Sequence, residues 1–494
     1  MKTPTPLLFV LALIVFTGPF AGAATQQVQL PGQPARSAPT PVPLEVVGVQ
    51  PALNALNVAR TTAITMRFNL PVDPSSFQAP DFHVFGRWST MRSGAISVGP
   101  GGRTVVFTPD APFAAGENVT VTLSRWIRSA SGQPLGKGFC WSFWSASLPG
   151  SGTYNHTQTL IPGDTPYGAW GGDVDLDGDL DLCTPNEHTL DVSVFLNDGS
   201  GTFSTAQSFG VGQNCSPNEA ADFNFDGKVD LAVANIVDGD VSVLFGNGDG
   251  TFQPQVRFSV GSQPRGLTVV DANGDGYMDI VTANRVSNDL SLLMNDTLGS
   301  FLPEVRFEGG LNRETGVFAS DMDRDGISDL VVIGYSDGRV SVLKGDGNAG
   351  FSLLSNRSIG SQPWMVVVGD LDGDGHNDVG AALAGAGSAG VCLNNGNGSL
   401  GSPSVNSVST FPLAIDFGDL NGDGALDMGV CTYAGGWYHF FYNDGAGAMS
   451  SAFTFQANNA ASCTVIHDLN GDGVMDITML DELADLVFIH LQIP

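Results

Sequence analysis

"DLDGDGHNDV" (residues 370–379) places carboxylates at Asp370, Asp372, Asp374 and Asp378 around Gly375. Four like charges in nine residues repel one another, so the stretch is either an acidic surface hairpin or a seat for a cation. The remainder of the chain decides between the two. The same pattern returns as "DVDLDGDLDL" from 173, "DFNFDGKVDL" from 222, "DANGDGYMDI" from 271, "DMDRDGISDL" from 321, "DLNGDGALDM" from 419 and "DLNGDGVMDI" from 468. Successive starts lie 49, 49, 50, 49, 49 and 49 residues apart. Seven copies at that spacing define a repeat architecture.

Every copy carries Asp at position 1, Asp or Asn at 3, Asp at 5, Gly at 6 and Asp at 9. Side chains at alternate positions converge only if the loop curls around something, and Ca²⁺ accepts about six to eight oxygens in such loops. Glycine at position 6 permits a backbone turn that a side chain would obstruct. Position 7 varies freely (Asp179, Lys228, Tyr277, Ile327, His376, Ala425, Val474), as expected where only the carbonyl is used. No copy offers Cys or a His pair, which disfavours a soft metal. The expected ligands are therefore Asp173, Asp175, Asp177 and Asp181 in the first copy and Asp222, Asn224, Asp226 and Asp230 in the second. They continue as Asp271, Asn273, Asp275 and Asp279, then Asp321, Asp323, Asp325 and Asp329, then Asp370, Asp372, Asp374 and Asp378. Asp419, Asn421, Asp423 and Asp427 follow, with Asp468, Asn470, Asp472 and Asp476 last. Up to seven calcium ions are expected. Their 14 positive charges would take the formal net charge from -30 to -16.

That charge comes from 50 Asp and Glu against 20 Lys and Arg in 494 residues. Such a balance repels phosphate backbones and anionic membranes, so nucleic acid is not an expected partner. With 42% apolar residues the chain folds, and 64 Gly with 28 Pro point to many turns. The start, "MKTPTPLLFVLALIVFTGPFAGAA", has Lys2, a short apolar run and an A-x-A arrangement at Ala21–Ala23. It reads as an export signal over residues 1–23 and is short for a bilayer span. No later stretch is apolar enough to span a membrane, so a secreted or cell-surface location and a monomer are expected. Residues 24–43, including "PGQPARSAPTPVP", read as a Pro-rich linker. Six cysteines permit disulfides in an exported chain, with Cys183/Cys215 and Cys431/Cys463 each 32 residues apart.

Residues 44–147 alternate apolar and polar positions in "TAITMRFNLPV", "RTVVFTPDAPF", "ENVTVTLSRWI" and "GFCWSFWS". This is the strand signature of a β-sandwich. The order of "TAITMRFNLPVD", "VVFTPDAPFAAGENVTVTL" and "SASGQPL" resembles bacterial Ig-like domains, which implies a spacer or stalk. From 152 to 494 each acidic loop is flanked by a lead-in strand ("PWMVVVGD"), a lead-out strand ("DLVVIGY"), a third ("DVSVLFGN") and a fourth ("PQVRFSV"). Four strands per 49 residues make one propeller blade. The DxDxDGxxD loops in this setting resemble FG-GAP/VCBS repeats, the type that builds the seven-bladed propeller of integrin alpha subunits. The fold expected is all-β: an Ig-like sandwich followed by a seven-bladed propeller. The last copy has only three strands, and the orphan strand "YNHTQTLIP" should complete its blade and close the ring.

In this topology the acidic loops occupy one face and the fourth-to-first and second-to-third loops occupy the other. The integrin resemblance implies that the second face meets ligands. It would carry Arg265, Arg285, Arg313, Tyr335, Trp364 and Trp437, residue types common at recognition surfaces. "KGD" at 344–346 falls on the loop face instead. No HExxH or nucleophile–base set is present, and His439, His467 and His490 are the only late histidine grouping. The preferred function is a calcium-binding adhesion or interaction protein with an extracellular protein or glycan ligand. A carbohydrate-binding lectin stands as the alternative, and a secreted polysaccharide-active enzyme as a third.

Overall fold

In the computed structural model, residues 42–494 are described. The expected export signal and all but the last two linker residues lie outside them. Strands dominate throughout, and the helix among the described residues is a single 3-10 turn at Pro74–Ser76.

The N-terminal sandwich pairs a four-stranded sheet (Val46–Gln50, Ile64–Phe68, Thr104–Pro109, Gly94–Val98) with a five-stranded one built around Asn118–Leu123 and Phe139–Ser145. The period of two does the folding. Ile64, Met66 and Phe68 point inward while Arg67 faces water, and Val119, Val121 and Leu123 meet them from the other sheet.

Seven four-stranded sheets follow, and the chain fills six of them in simple order. The exception is the last, where Tyr154–Leu160 pairs antiparallel with Leu486–Gln492 beside Asp476–Asp481 and Ala461–His467. One sheet thus takes strands from both ends of the repeat region. In each sheet the second strand (Asp230–Asn235, Asp378–Leu383) is buried along its whole length, whereas fourth strands such as Val256–Ser259 are largely exposed. Burial on both faces follows from sheets stacked face to face. Val331 and Ile333 of the fourth sheet pack with Val379 and Ala381 of the fifth, and Leu182 and Phe195 of the first pack with Leu480 and Val487 of the last.

A recurrent hydrogen bond pins neighbouring sheets. The side-chain amide of Asn295 donates to the Phe223 carbonyl of the preceding acidic loop, and Asn394, Asn443 and Gln492 do likewise to Met322, Leu371 and Leu420. Asn197 of the first sheet donates in the same way to Leu469 of the last, at 2.7 Å.

The sandwich does not stand away from the repeats. The carbonyls of Gly274, Gly326, Gly375 and Gly473, all in acidic loops, accept hydrogen bonds from Arg125 N, Cys140 N, Asn54 Nδ2 and Leu148 N. Glycine is required at this seam. Gly276 and Gly326 have φ of +93° and +81°, and a Cβ would fall 2.5 Å from the Pro80 carbonyl oxygen and 2.2 Å from the Phe139 ring. Between them a turn at Arg87–Ser89 reaches inward, held by Glu117, whose carboxylate accepts from the amides of Trp88, Ser89 and Ala114. Arg87 pairs with Asp416 at 3.0 Å, and the Trp88 ring packs tilted against that of His467, 5.6 Å between centres. These contacts correct the spacer expectation: the domain is docked on the loop face.

All six cysteines are unbonded thiols, five of them buried in the sheets. Cys183 and Cys431 lie 10 and 12 residues past the starts of their acidic loops, so the shared 32-residue spacing marks neither equivalent repeat positions nor a disulfide framework.

Candidate metal centres and binding face

Each acidic decapeptide forms a tight loop between the first and second strands of its sheet. The position-1 carboxylate accepts the amide of the position-6 glycine in all seven copies, from Asp173 with Gly178 to Asp468 with Gly473. The position-7 amide donates to the position-5 carboxylate in every copy as well. These bonds draw alternate side chains to one side. Carboxylate oxygens of Asp173, Asp175 and Asp181 lie within 4.8 Å of one another, as do those of Asp321, Asp323 and Asp325 and those of Asp370, Asp372 and Asp374. In copies with Asn at position 3 the charge is reduced by one. The amides of Asn273, Asn421 and Asn470 donate to the position-5 carboxylates of Asp275, Asp423 and Asp472.

The electrostatics fit a hard cation. Burial pushes the position-1 carboxyls up, to about 6 for Asp173, Asp222 and Asp468 and to about 7 for Asp271 and Asp321, with neighbouring carboxylates adding to the effect. Oδ1 of Asp173 and Oδ1 of Asp468 are buried without a hydrogen-bond partner. Clustered, partly orphaned oxygens with no sulfur or imidazole donor form the ligand set of an oxygen-seeking ion.

Position 9 has a second role that spacing alone did not reveal. In every copy one of its oxygens accepts the position-2 amide, and the other accepts an amide at the end of the third strand. For Asp378 these donors are Leu371 N at 2.8 Å and Asn394 N at 2.7 Å, and the residue is fully buried. Burial pushes its carboxyl up to about 8. This residue clips the loop to the sheet whatever else it binds.

Two lysines also enter the loops. Lys228 at position 7 of the second copy lies 3.2 Å from Asp226. Lys344, the first residue of the "KGD" tripeptide, pairs with both Asp323 and Asp325. Its ammonium therefore supplies positive charge to the fourth loop. The tripeptide has a structural use there, and only the three-dimensional turn brings it to a loop 19 residues upstream.

On the opposite face, five of the six expected residues come together. The guanidinium of Arg265 lies 5.2 Å from the Trp364 ring centre, that of Arg285 lies 5.0 Å from Tyr335 and 5.3 Å from Trp364, and that of Arg313 lies 5.7 Å from Tyr335. Trp364 Nε1 donates to the Tyr167 hydroxyl at 2.6 Å. The ring row continues through Phe411 to Tyr433. Trp437 makes none of these contacts. Tyr167 was missed in sequence because its repeat lacks the regular lead-in strand. The three late histidines do not form a site: His439 bonds Ser409, His467 bonds Thr478, and His490 packs against His156 and Phe455.

Comparison with known proteins follows the same division of the chain. The bacterial Ig-like domain profile matches residues 40–145. No curated protein sequence matches significantly. Among solved structures, BBS1N in complex with ARL6DN (a crystal soaked with lead) is 13% identical, covering 69% of this chain and 97% of its own with a TM-score of 0.50. That is a likeness of fold. An Agrocybe aegerita lectin recognising non-reducing terminal N-acetylglucosamine is 18% identical over 76% of this chain and 95% of its own, with a TM-score of 0.42. A catalytically inactive virginiamycin B lyase from Staphylococcus aureus, with quinupristin, is 11% identical over 68% and 98%, with a TM-score of 0.45. The FG-GAP-like repeat profile matches six overlapping segments: 173–233, 222–282, 271–332, 321–381, 370–430 and 419–479. Together they span well over half of the 494 residues, and the chain belongs to the FG-GAP-like repeat family.

Proposed function

We propose that this is an exported, calcium-binding interaction protein whose ligand face is the one opposite the acidic loops. The observation that carries the reading is the docking of the Ig-like domain. Its bonds to Gly274, Gly326, Gly375 and Gly473 cover the loop face, which leaves the Arg- and aromatic-bearing face open. Residues 44–147 serve as a fixed cap in this reading, and 152–494 form a seven-bladed propeller. Closure of that ring is supported by the strand shared between the chain's two ends and by the Asn197–Leu469 bond between the first and last sheets. The whole is read as a monomer, delivered by the signal at 1–23 through the linker at 24–43.

In each loop the side chains at positions 1, 3, 5 and 9 would hold calcium, and position 9 would also clip the loop to its sheet. The ion would neutralise carboxylates that otherwise repel and carry raised pKa values. By mass action, each site at 100 times its dissociation constant adds about 2.7 kcal/mol to stability. Calorimetric titration should count the ions, and thermal unfolding should shift downward in EDTA. An unchanged melting temperature with no heat of calcium binding would remove the metal from this reading. For the platform, the calcium-loaded protein would be screened on glycan and surface-protein arrays. Ligand binding that is insensitive to substitutions at Tyr433 and Arg313 would place the binding surface elsewhere.

A further inference from the structure

Three guanidinium groups converge on the open face in a protein with 50 acidic residues, yet none of them makes an ion pair among the described residues. Arg265 and Arg285 are half-buried, and the Nε of each is buried without a hydrogen-bond partner. Arg313 is exposed beside them. Burial lowers the Arg285 pKa, and the charges of Arg313 and Arg265 lower it further, so the three groups feel one another. Glu187 and Glu482 lie toward Arg265. Burial raises both, Glu482 to about 8 with Glu187 adding to the rise, while the Arg265 charge opposes the change without closing an ion pair. Stacking on Trp364 and Tyr335 orients the planar groups and leaves their donor edges free. Uncompensated carboxylates in the loops call for a cation, and by the same physics this cluster calls for an anion.

We propose that Arg265, Arg285 and Arg313, oriented by Tyr335 and Trp364, bind the carboxylate groups of an acidic polysaccharide. The inference rests on the open face being the ligand platform and names what that platform takes. Guanidinium and carboxylate match edge to edge through paired N–H···O bonds. The polysaccharide, rather than an acidic peptide, is favoured by what adjoins the cluster. A groove of about 450 Å³ is lined by Arg313, Tyr335, Ser336, Ser358, Ser361 and Gln362, together with Asp337, whose two carboxylate oxygens are taken up by the backbone and side-chain amides of Asn312. Its hydroxyl and amide lining suits a chain of hydroxyl-bearing rings and lacks the apolar pockets that anchor peptide side chains. Phe411 and Tyr433 extend the aromatic row on the other side as flat surfaces for sugar rings.

The test uses the full chain loaded with calcium and short oligosaccharides of hyaluronan, alginate and polygalacturonate, each also with its carboxyls reduced to alcohols. Poly-L-glutamate is the peptide comparison. At least one acidic oligosaccharide should bind, with affinity falling as salt rises. Its carboxyl-reduced form, and the Arg285→Gln/Arg313→Gln variant, should each bind at least about tenfold more weakly, one such pair being worth more than 1.4 kcal/mol. The variant's melting temperature, matched to the parent's, excludes misfolding. No binding to any of the three, or equal binding by the variant, overturns the proposal. Equal binding of poly-L-glutamate overturns the glycan assignment in favour of an acidic peptide. A neutral glycan or protein ligand that is lost with Tyr433→Ser but kept by the arginine variant overturns this inference while leaving the platform intact.

Discussion

Asp378→Ala and Asp374→Ala, in the same loop, should fail in opposite ways. Asp378 is fully buried, with its two oxygens accepting Leu371 N at 2.8 Å and Asn394 N at 2.7 Å. Alanine leaves both amides buried and unpaired, at about 1–3 kcal/mol each, so the fifth sheet should lose about 2–6 kcal/mol. Relief of the buried carboxyl offsets part of this, and Asp378→Asn, which keeps one carbonyl acceptor, should cost less than alanine. Asp374 is exposed, and its single bond is to His376 N. Without calcium its loss should cost about 0.5 kcal/mol. With calcium it should forfeit most of that site's linkage term, about 2.7 kcal/mol at 100 times the dissociation constant. Because unfolding of so many sheets need not be two-state, the readout is local: hydrogen exchange of peptides covering 378–392, in EDTA and in calcium. In EDTA, Asp378→Ala should open these strands far more readily than the parent while Asp374→Ala tracks the parent. Asp378→Ala within about 0.5 kcal/mol of the parent in EDTA would refute the clip, that being the scale of an ordinary surface change. An intact calcium response in Asp374→Ala would refute its role as a ligand.

Other outcomes follow from neighbouring contacts. Lys344→Met removes the ammonium that pairs with Asp323 and Asp325, so calcium should bind the fourth loop more tightly. A calorimetric titration identical to the parent's would count against that competition. Arg87→Met leaves Asp416, whose side chain is 5% exposed, without its partner. Because Arg87 is about a third exposed, the cost should fall near 2 kcal/mol rather than the roughly 3–5 of a fully buried pair. The docked sandwich should then be cleaved faster by protease between residues 147 and 152, and an unchanged rate would show that the ion pair does not hold it. His83 sits buried against Pro80 and Phe225, and burial lowers its pKa from 6.5 to about 4. The unfolded chain therefore takes up its proton first. Stability is complete above pH 6.5 and declines as pH falls toward 4, by about 3 kcal/mol in all. His83→Gln should flatten that part of the pH–stability curve, and an unaltered slope would place the loss in other groups.

The repeat, its four strands and its acidic loop are local, and they were legible. DxDxDGxxD sets its own hydrogen bonds within ten residues, and the alternation around it fixes which strand faces which sheet. Even the shared sheet could be read, because "YNHTQTLIP" has the pattern of a fourth strand and no sheet of its own. What escaped the sequence joins residues that are far apart. Asn54 meets Gly375 across 321 positions and Arg87 meets Asp416 across 329, so a domain read as a spacer is docked on the loops. Lys344 could be placed on the loop face from sequence, but only the turn shows that it pairs with Asp323 and Asp325. In the sequence position 9 reads as a ligand alone, and its depth and two amide donors give it a further use as a clip. Periodicity reports what each residue does with its neighbours in the chain. Docking, charge compensation and burial depend on which surfaces meet after the sheets have stacked, and only the folded structure decides that.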